Sequence, residues 1–300
     1  MAVSVDFDKM EKLPDGCRFF DLNEWWYFPN RWGVRLLYPL PVSANHLTML
    51  ALLMGLIAAA FYFSNVENAL VWGALFLYGK LFLDNVDGNL ARLRGEESRL
   101  GRFLDSFSDF TVAVLVYGAI AFRLASGSPD PGFIWTLTLL ALVSGLLQCS
   151  YWVFYYVSYT GWVGAYGKNR SDETVTEADR KAVTAGELSG AVYFMQRFHN
   201  AAYGWQDALF TSLDRVSRRV AGYRESDAHR ERWLADKTFL AWMGPLCVCT
   251  NTMALMVFSL LNQLEWFLYL VVIPGNGYLI ALQVWKIFRF KKLSTNLILN

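Results

Sequence analysis

The sequence predicts an all-α, polytopic membrane protein with six transmembrane helices and an N-terminal interfacial amphipathic helix. Hydrophobic residues make up 55% of the 300 residues and aromatic residues 16%, a composition typical of membrane proteins rather than soluble domains. Six mostly apolar stretches are each about long enough, near 20 residues, to cross a bilayer as a helix. Lysine and arginine are concentrated in the connections on one side of these stretches.

The six predicted spans follow one another along the chain. They cover approximately His46–Ser64, Ala69–Asp87, Asp105–Ala125, Phe133–Tyr159, Phe239–Leu261 and Trp266–Ile287. We therefore expect four parts: an N-terminal arm with the interfacial helix (1–45), spans one to four with a polar motif (46–160), a cytoplasmic insertion with an amphipathic helix (161–236), and the last two spans with a basic tail (237–300).

The distribution of basic residues predicts how the chain is oriented in the membrane. An even number of spans places both termini on one side, and every lysine and arginine except Lys80 and Arg123 lies in the segments on that side. Because basic residues accumulate in cytoplasmic connections, we expect the termini and the polar motif to be cytoplasmic. The net charge of +1 gives no overall field that would favour nucleic acid.

Two segments outside the spans have the pattern of amphipathic helices. Residues 19–40 mix aromatic and basic side chains, which suit the lipid interface. In the insertion, apolar residues recur every three or four positions and predict one apolar helix face. Its members are Val192, Met195, Phe198, Ala202, Trp205, Leu209 and Leu213. Such a helix either covers the cytoplasmic mouth or rests on lipid or neighbouring helices, and the spacing leaves both open.

Four aspartates stand at or near the inner ends of the second and third spans. Asp84 and Asp87 are three residues apart, and Asp105 and Asp109 are four apart. Each pair therefore lies on one face of its helix. Because the connection between the two spans is short, all four carboxylates can converge. Ionisable groups at membrane depth are costly and usually functional.

Converging carboxylates repel one another unless a positive charge lies between them. Ligands that are all oxygen suit Mg²⁺ or Mn²⁺, and no histidine or cysteine is near in sequence to favour zinc. Two such ions, roughly 3.5–4 Å apart, are a known arrangement for displacement at phosphorus. We therefore expect Asp84, Asp87, Asp105 and Asp109 to bind Mg²⁺ or Mn²⁺, with two ions at the site.

Small and basic residues accompany the aspartates. Gly88 and Ala91 leave room for a nucleotide against the backbone, and Arg92 can pair with a phosphate. Gly101, four residues before Asp105, can play the matching role on the third span. Lys80 lies one turn before Asp84, where an ion pair with that carboxylate or snorkelling toward the interface is favoured over a phosphate contact.

These residues resemble the signature of the CDP-alcohol phosphotransferase family, D-x2-D-G-x2-A-R-x8-G-x3-D-x3-D. All eight fixed positions are present: Asp84, Asp87, Gly88, Ala91, Arg92, Gly101, Asp105 and Asp109. A match of eight residues at fixed spacing is highly specific. The segment Ala44–Leu50 is also similar to the family's P-N-x-x-T, with Ala44 in place of proline while Asn45 and Thr48 remain. The long insertion is not typical of compact members.

The resemblance implies a transferase of membrane lipid synthesis, a phosphotransferase for substituted phosphate groups. It implies that Asp84, Asp87 and Asp105 bind the metals, with the cytidine diphosphate beside the small residues and Arg92. It also implies that Asp109 is the general base that deprotonates the acceptor hydroxyl, after which CMP leaves. Members are commonly homodimers, so we expect a homodimer in the bilayer.

The substrates stay open at this point. The donor is either CDP-diacylglycerol, used with a water-soluble alcohol, or a soluble CDP-choline-like or CDP-ethanolamine-like compound, used with a lipid hydroxyl. The signature binds the CDP half that both share. A non-enzymatic alternative is a transporter or membrane scaffold whose aspartates bind cations. Transporters, however, place ionisable groups near the midplane of the bilayer, on broken helices, whereas these aspartates stand near one end of the spans.

Overall fold

The computed structural model describes residues 10, 12–14, 16–22, 27–164 and 174–295, and every regular element in these ranges is a helix. Parts of the predicted arm, insertion and basic tail lie outside the described residues. Five helices form the first half: α1 (Tyr27–Leu37), α2 (Ala44–Phe63), α3 (Ala69–Arg94), α4 (Arg99–Ala125) and α5 (Pro131–Trp162).

The second half contains shorter helices around one long one. The insertion contains α6 (Glu177–Thr184), α7 (Gly190–Ala221) and α8 (Asp227–Leu234). It is followed by α9 (Lys237–Trp242), a 3₁₀ turn (Gly244–Leu246), α10 (Val248–Leu260), α11 (Leu264–Leu270), a π-helical turn (Val271–Gly275) and α12 (Asn276–Thr295).

Within the described part of the chain, five helical stretches are long and apolar enough to cross a membrane. They are α2, α3, α4, α5 and the continuous stretch Leu264–Leu293, and the shorter apolar helix α10 accompanies them. The prediction of an all-α polytopic membrane protein is therefore confirmed. The short helix α1 contacts α3 and covers only the last part of the segment in which an interfacial helix is expected.

The predicted fifth span, Phe239–Leu261, is not one continuous helix. Pro245 lies in the 3₁₀ turn between α9 and α10, where its missing N–H cannot continue a helical hydrogen-bond ladder. The Gly244 carbonyl oxygen accepts from the Cys247 N–H at 3.2 Å and from Thr250 Oγ1 at 3.1 Å. These bonds satisfy a backbone group at the break, which lipid could not solvate.

Local signals in the connection between α3 and α4 bring the two motif helices back to the same end of the protein. Gly95 ends α3 with a φ of +68°, a left-handed conformation that glycine adopts without strain. Ser98 then caps α4 by accepting a hydrogen bond from the Gly101 N–H at 3.0 Å. Helix α2 packs against both α3 and α4, so three helices frame the motif.

The insertion helix α7 packs against α4, α5 and α12 with a largely polar face inward. Gln206 and Ser217 are buried there; Ser150 Oγ on α5 donates to Gln206 Oε1 at 2.6 Å, and Gln283 Nε2 on α12 donates to Ser217 Oγ at 2.6 Å. These partners satisfy the polar groups, as buried polar groups require.

The predicted apolar face of α7 is partly packed and partly exposed. The Phe198 ring lies edge-on to Phe107 and Phe110 of α4, with centroids 4.9 and 5.6 Å apart, and Ala202 is buried. Trp205 is 48% exposed and Leu209 is 46% exposed. The spacing identified the helix, and polar partners on α5 and α12 hold its other face inward.

Candidate active site

A cavity of about 530 Å³ lies where the end of α3 and the start of α4 meet the start of α2. The sequence predicts that these helix ends face the cytoplasm. Every residue that the sequence places in the site lines the cavity: Asn45, Thr48, Asp84, Asp87, Gly88, Ala91, Arg92, Gly101, Asp105 and Asp109. Two helices and the first turn of a third thus bring residues up to 64 positions apart to one space.

Three of the four aspartates form a compact group. Carboxylate oxygens of Asp84, Asp105 and Asp109 all lie within 4.8 Å of one another. One oxygen of Asp105, Oδ1, is buried and accepts no hydrogen bond from the described residues. An orphaned buried carboxylate oxygen is costly unless something outside the chain supplies a positive partner. All the potential ligand atoms are oxygens, and one of them has no hydrogen-bond partner among the described residues. Such a set of ligands fits Mg²⁺ or Mn²⁺.

Asp87 stands beside the other three and not among them. Its Oδ2 accepts a hydrogen bond from Thr48 Oγ1 at 2.5 Å, and both side chains are buried. Asp87 therefore has one oxygen committed to α2. Its remaining coordination capacity still faces the cavity that it lines.

Lys80 is a member of the site that sequence reasoning left undecided. Its ammonium donates to Asp84 Oδ1 at 2.9 Å and also contacts Asp109 Oδ1. The residue is 5% exposed, so it does not snorkel to the interface. A buried cation thus joins two carboxylates of the group, one on each motif helix. The available signal was a lysine within an otherwise apolar stretch, one turn before Asp84.

The small residues of the motif leave space for different reasons. A methyl group on Gly101 would lie 2.9 Å from Asn45 Oδ1, so this glycine permits α2 to approach α4. A methyl group on Gly88 would meet only Arg92, at 3.5 Å, so this glycine leaves the cavity wall open. Arg92 itself donates from Nε to the Met10 carbonyl oxygen at 2.9 Å.

Other elements complete the cavity walls, and the sequence did not indicate them. Aromatic residues of α5, among them Trp152 and Tyr156, line one side. Cys247, just before α10, and Cys249, in its first turn, also line the cavity. The N-terminal arm contributes Lys12, Arg18 and Phe19, and the Phe19 ring lies edge-on to Tyr156 with centroids 6.3 Å apart.

The fold and the site together define a multi-pass membrane protein with a carboxylate cluster suited to divalent metal beside a nucleotide-sized cavity. Comparison with known protein families agrees with this class. Residues 41–211 match the family model of the CDP-alcohol phosphatidyltransferases, which is more than half of the chain. The protein belongs to this family, and the prediction from the eight-residue signature is confirmed.

Two curated relatives show the same family likeness. The chain is 35% identical over 104 residues to a phosphatidylinositol phosphate synthase of Streptomyces avermitilis, covering 35% of this chain and 41% of that protein. It is 34% identical over 114 residues to an archaetidylinositol phosphate synthase of Pyrococcus horikoshii, covering 38% of this chain and 55% of that protein. The chain thus spans about half the length of the relatives it matches.

Proposed function

We propose that this protein is a divalent-metal-dependent phosphotransferase that moves a phospho-alcohol from a CDP donor to an acceptor hydroxyl and releases CMP. The observation that carries the proposal is the carboxylate group of Asp84, Asp105 and Asp109, whose oxygens lie within 4.8 Å of one another in the motif cavity. Its unsatisfied Asp105 oxygen calls for a cation.

Asp84, Asp87 and Asp105 would hold Mg²⁺ or Mn²⁺, and Asp109 adjoins them. When bound, the metal supplies positive charge that stabilises the phosphates of the donor and of the departing CMP. The chain's own task is to hold these carboxylates in place. Thr48 does so for Asp87, and the capped start of α4 does so for Asp105 and Asp109.

The donor would lie against the open backbone at Gly88 and Ala91, with Gly101, Asn45 and the start of α2 forming the opposite side. The cavity of about 530 Å³ is within the range of small-molecule sites, about 300–1,000 Å³. Arg92 is placed to contact a phosphate once it exchanges its bond to the Met10 carbonyl.

Asp109 would act as the general base on the acceptor. Its carboxylate takes the hydroxyl proton as the acceptor oxygen forms a bond to the phosphorus bearing the transferred alcohol. The bond from that phosphorus to the bridging oxygen of CMP breaks, and CMP leaves with the electron pair. Holding both substrates in line in one cavity supplies much of the remaining rate enhancement.

For the acceptor we propose a phosphorylated, water-soluble alcohol, used with a lipid-linked donor of the CDP-diacylglycerol kind. Both relatives are named for making lipids with an inositol phosphate headgroup. Basic side chains also line the cavity: Lys12, Arg18, Arg99 and Arg102 stand among the acidic Asp21, Glu96 and Glu97. Such cations can contact the phosphate of the acceptor.

The test is CMP release by purified protein in lipid nanodiscs, with Mg²⁺ or EDTA, over a panel of CDP donors and acceptors that includes inositol phosphate and diacylglycerol. We expect CMP and a new phospholipid, identified by mass spectrometry, only with metal and a phosphorylated alcohol. Turnover with a soluble CDP donor and diacylglycerol would instead support the other subclass. Cation uptake into vesicles without CMP release from any pair would support the transporter alternative. Cytoplasmic sidedness and a homodimer remain predictions.

A further inference from the structure

Lys80 has no position in the family signature, yet its side chain contacts two of the three clustered carboxylates. It is one turn before Asp84 on α3, and its ammonium touches oxygens of both Asp84 and Asp109. Asp109 is on α4, 29 residues away. The lysine therefore ties together the two helices that carry the motif, at the level of the reacting groups.

The location of Lys80 sets it apart from the cations at the rim. A smaller cavity of about 120 Å³, lined mainly by apolar residues such as Leu77 and Val116, lies behind the carboxylates. Lys80 and Asp109 line this cavity, and Asp109 also lines the larger one. The ammonium thus approaches Asp109 from the apolar side, opposite the space that the substrates would enter.

The charge balance gives this arrangement a chemical consequence. The four aspartates carry four negative charges when ionised, and the Lys80 ammonium carries one positive charge. Three negative charges then remain for divalent ions to neutralise. The compensation is uneven, because Lys80 contacts Asp84 and Asp109 but Asp105 keeps an unsatisfied oxygen. A cation fixed on Asp109 leaves that carboxylate less available as a metal ligand than Asp105.

We propose that Lys80 is a positioning residue of the transfer reaction: its ammonium holds Asp109 back from the metal ions and reserves one of its oxygens for the acceptor hydroxyl. The proposal rests on the proposed function, in which Asp109 is the base. The four aspartates then have unequal roles: Asp105 serves mainly to bind metal, and Asp109 serves mainly as the base.

A purely structural ion pair would behave differently. Buried ion pairs often add little net stability, because desolvation offsets their attraction. If Lys80 only stabilised the fold, its removal would lower the melting temperature and leave the kcat of folded protein unchanged. If it positions Asp109, its removal lets that carboxylate join the metal ions. Metal would then bind more tightly while turnover falls.

The test compares Lys80→Met with Lys80→Arg and with Lys286→Met as the matched control. Lys286 is also a buried lysine in a membrane-spanning stretch, 4% exposed, but it donates to the Trp233 carbonyl oxygen at 2.7 Å and has no part in the cavity. Mn²⁺ affinity is measured by electron paramagnetic resonance without substrate. The kcat and KM are measured by CMP release, and melting is measured in EDTA.

For Lys80→Met we expect Mn²⁺ to bind about three- to ten-fold more tightly, because a nearby positive charge is gone. We expect kcat to fall about 100-fold, in the range that general-base catalysis supplies, with the donor KM within about two-fold of wild type. Lys80→Arg should recover part of kcat. Lys286→Met should lower the melting temperature and leave Mn²⁺ affinity and kcat unchanged.

A double-mutant cycle sharpens the result. In an Asp109→Asn background, Lys80→Met should cause no further loss of kcat, because residues that act through one another are not additive. A further loss, an unchanged kcat in the single variant, or unchanged or weaker Mn²⁺ binding would overturn the proposal. Lys80→Gln is a second neutral variant in case Lys80→Met is not recovered folded.

The Mn²⁺ measurement also separates this proposal from the proposed function. If wild-type protein releases no CMP from any donor, the phosphotransferase assignment fails. Tighter Mn²⁺ binding in Lys80→Met would still show that the ammonium restrains a carboxylate from the metal, whereas unchanged binding would refute the positioning role alone.

Discussion

Thr48 Oγ1 donates a hydrogen bond to Asp87 Oδ2 over 2.5 Å and so joins α2 to α3 at the wall of the motif cavity. Both residues are buried, and they are 39 positions apart in sequence. A carboxylate that accepts a hydrogen bond from a buried hydroxyl has its orientation fixed. The first turn of α2, outside the eight-residue signature, therefore orients one of the four aspartates.

Replacing Thr48 by valine tests this role, since the two side chains have nearly the same shape. We expect the donor KM and the Mn²⁺ dissociation constant each to rise about five- to ten-fold, because Asp87 loses its buried partner. Thr48→Ser keeps the hydroxyl and should remain close to wild type. Equal values for the valine and serine variants would show that the hydrogen bond does not matter for binding.

Replacing Asp109 by asparagine keeps the shape of the side chain and removes the base. We expect kcat for CMP release to fall about 10²- to 10⁴-fold, while CDP binding measured by calorimetry stays within about two-fold of wild type, a small change for a site that keeps its donor contacts. Asp130→Asn, at the distant N-cap of α5, is the matched carboxylate control because asparagine also caps helices. Substantial turnover by Asp109→Asn would remove this residue from the base role.

Gly101→Ala tests the close approach of α2 to α4. The added methyl group would lie 2.9 Å from Asn45 Oδ1 and 3.2 Å from Ser98 Oγ, and overpacking of this kind costs about 1–3 kcal/mol. We expect a lower melting temperature and a higher donor KM. Gly118→Ala on the same helix meets nothing within 4 Å and should do neither.

A second variant identifies which neighbour causes the Gly101→Ala defect. Adding Asn45→Ala removes the closest atom and should restore the melting temperature. Because Asn45 also lines the cavity, the raised donor KM should remain. An unrestored melting temperature would place the clash elsewhere.

Asp214→Ala tests how the insertion is attached to the spans. Asp214 is buried and accepts from Tyr155 Oη at 3.1 Å, Trp233 Nε1 at 2.7 Å and Arg218 Nε at 2.6 Å. Leaving these donors unpaired should destabilise the protein by about 3 kcal/mol, seen as a lower melting temperature with kcat of the folded protein unchanged. Asp214→Asn, which can still accept hydrogen bonds, should lose less. Equal losses would assign the effect to charge alone.

The convergence of the motif residues followed from sequence because helix geometry is rigid. Residues three or four apart share a face, and the short connection from Gly95 to Ser98 brings the ends of α3 and α4 together. Spacing alone therefore predicted that all four carboxylates could converge, and Asp84, Asp105 and Asp109 form the compact group. It did not show that Asp87 would turn to Thr48, since that depends on where α2 packs.

Other features depend on tertiary partners that no local pattern records. Periodicity found α7 but not which face turns inward, because the choice rests on hydrogen bonds to Ser150 and Gln283. The average hydropathy of the predicted fifth span did not reveal the break at Pro245, where the Gly244 carbonyl oxygen accepts from both Cys247 and Thr250. The sequence showed Lys80 only as a lysine within an apolar stretch, one turn before Asp84; its contact with Asp109 depends on where α4 packs.

Mn²⁺ binding to purified protein, with and without CDP, tests the central claim most directly when wild type is compared with Asp105→Ala. Asp105 carries the buried carboxylate oxygen that has no hydrogen-bond donor among the described residues, so a metal ion is the partner it requires. The account predicts that CDP tightens Mn²⁺ binding to wild type and that Asp105→Ala loses both Mn²⁺ and CDP. Mn²⁺ bound equally by both proteins, or bound without regard to CDP, would contradict it.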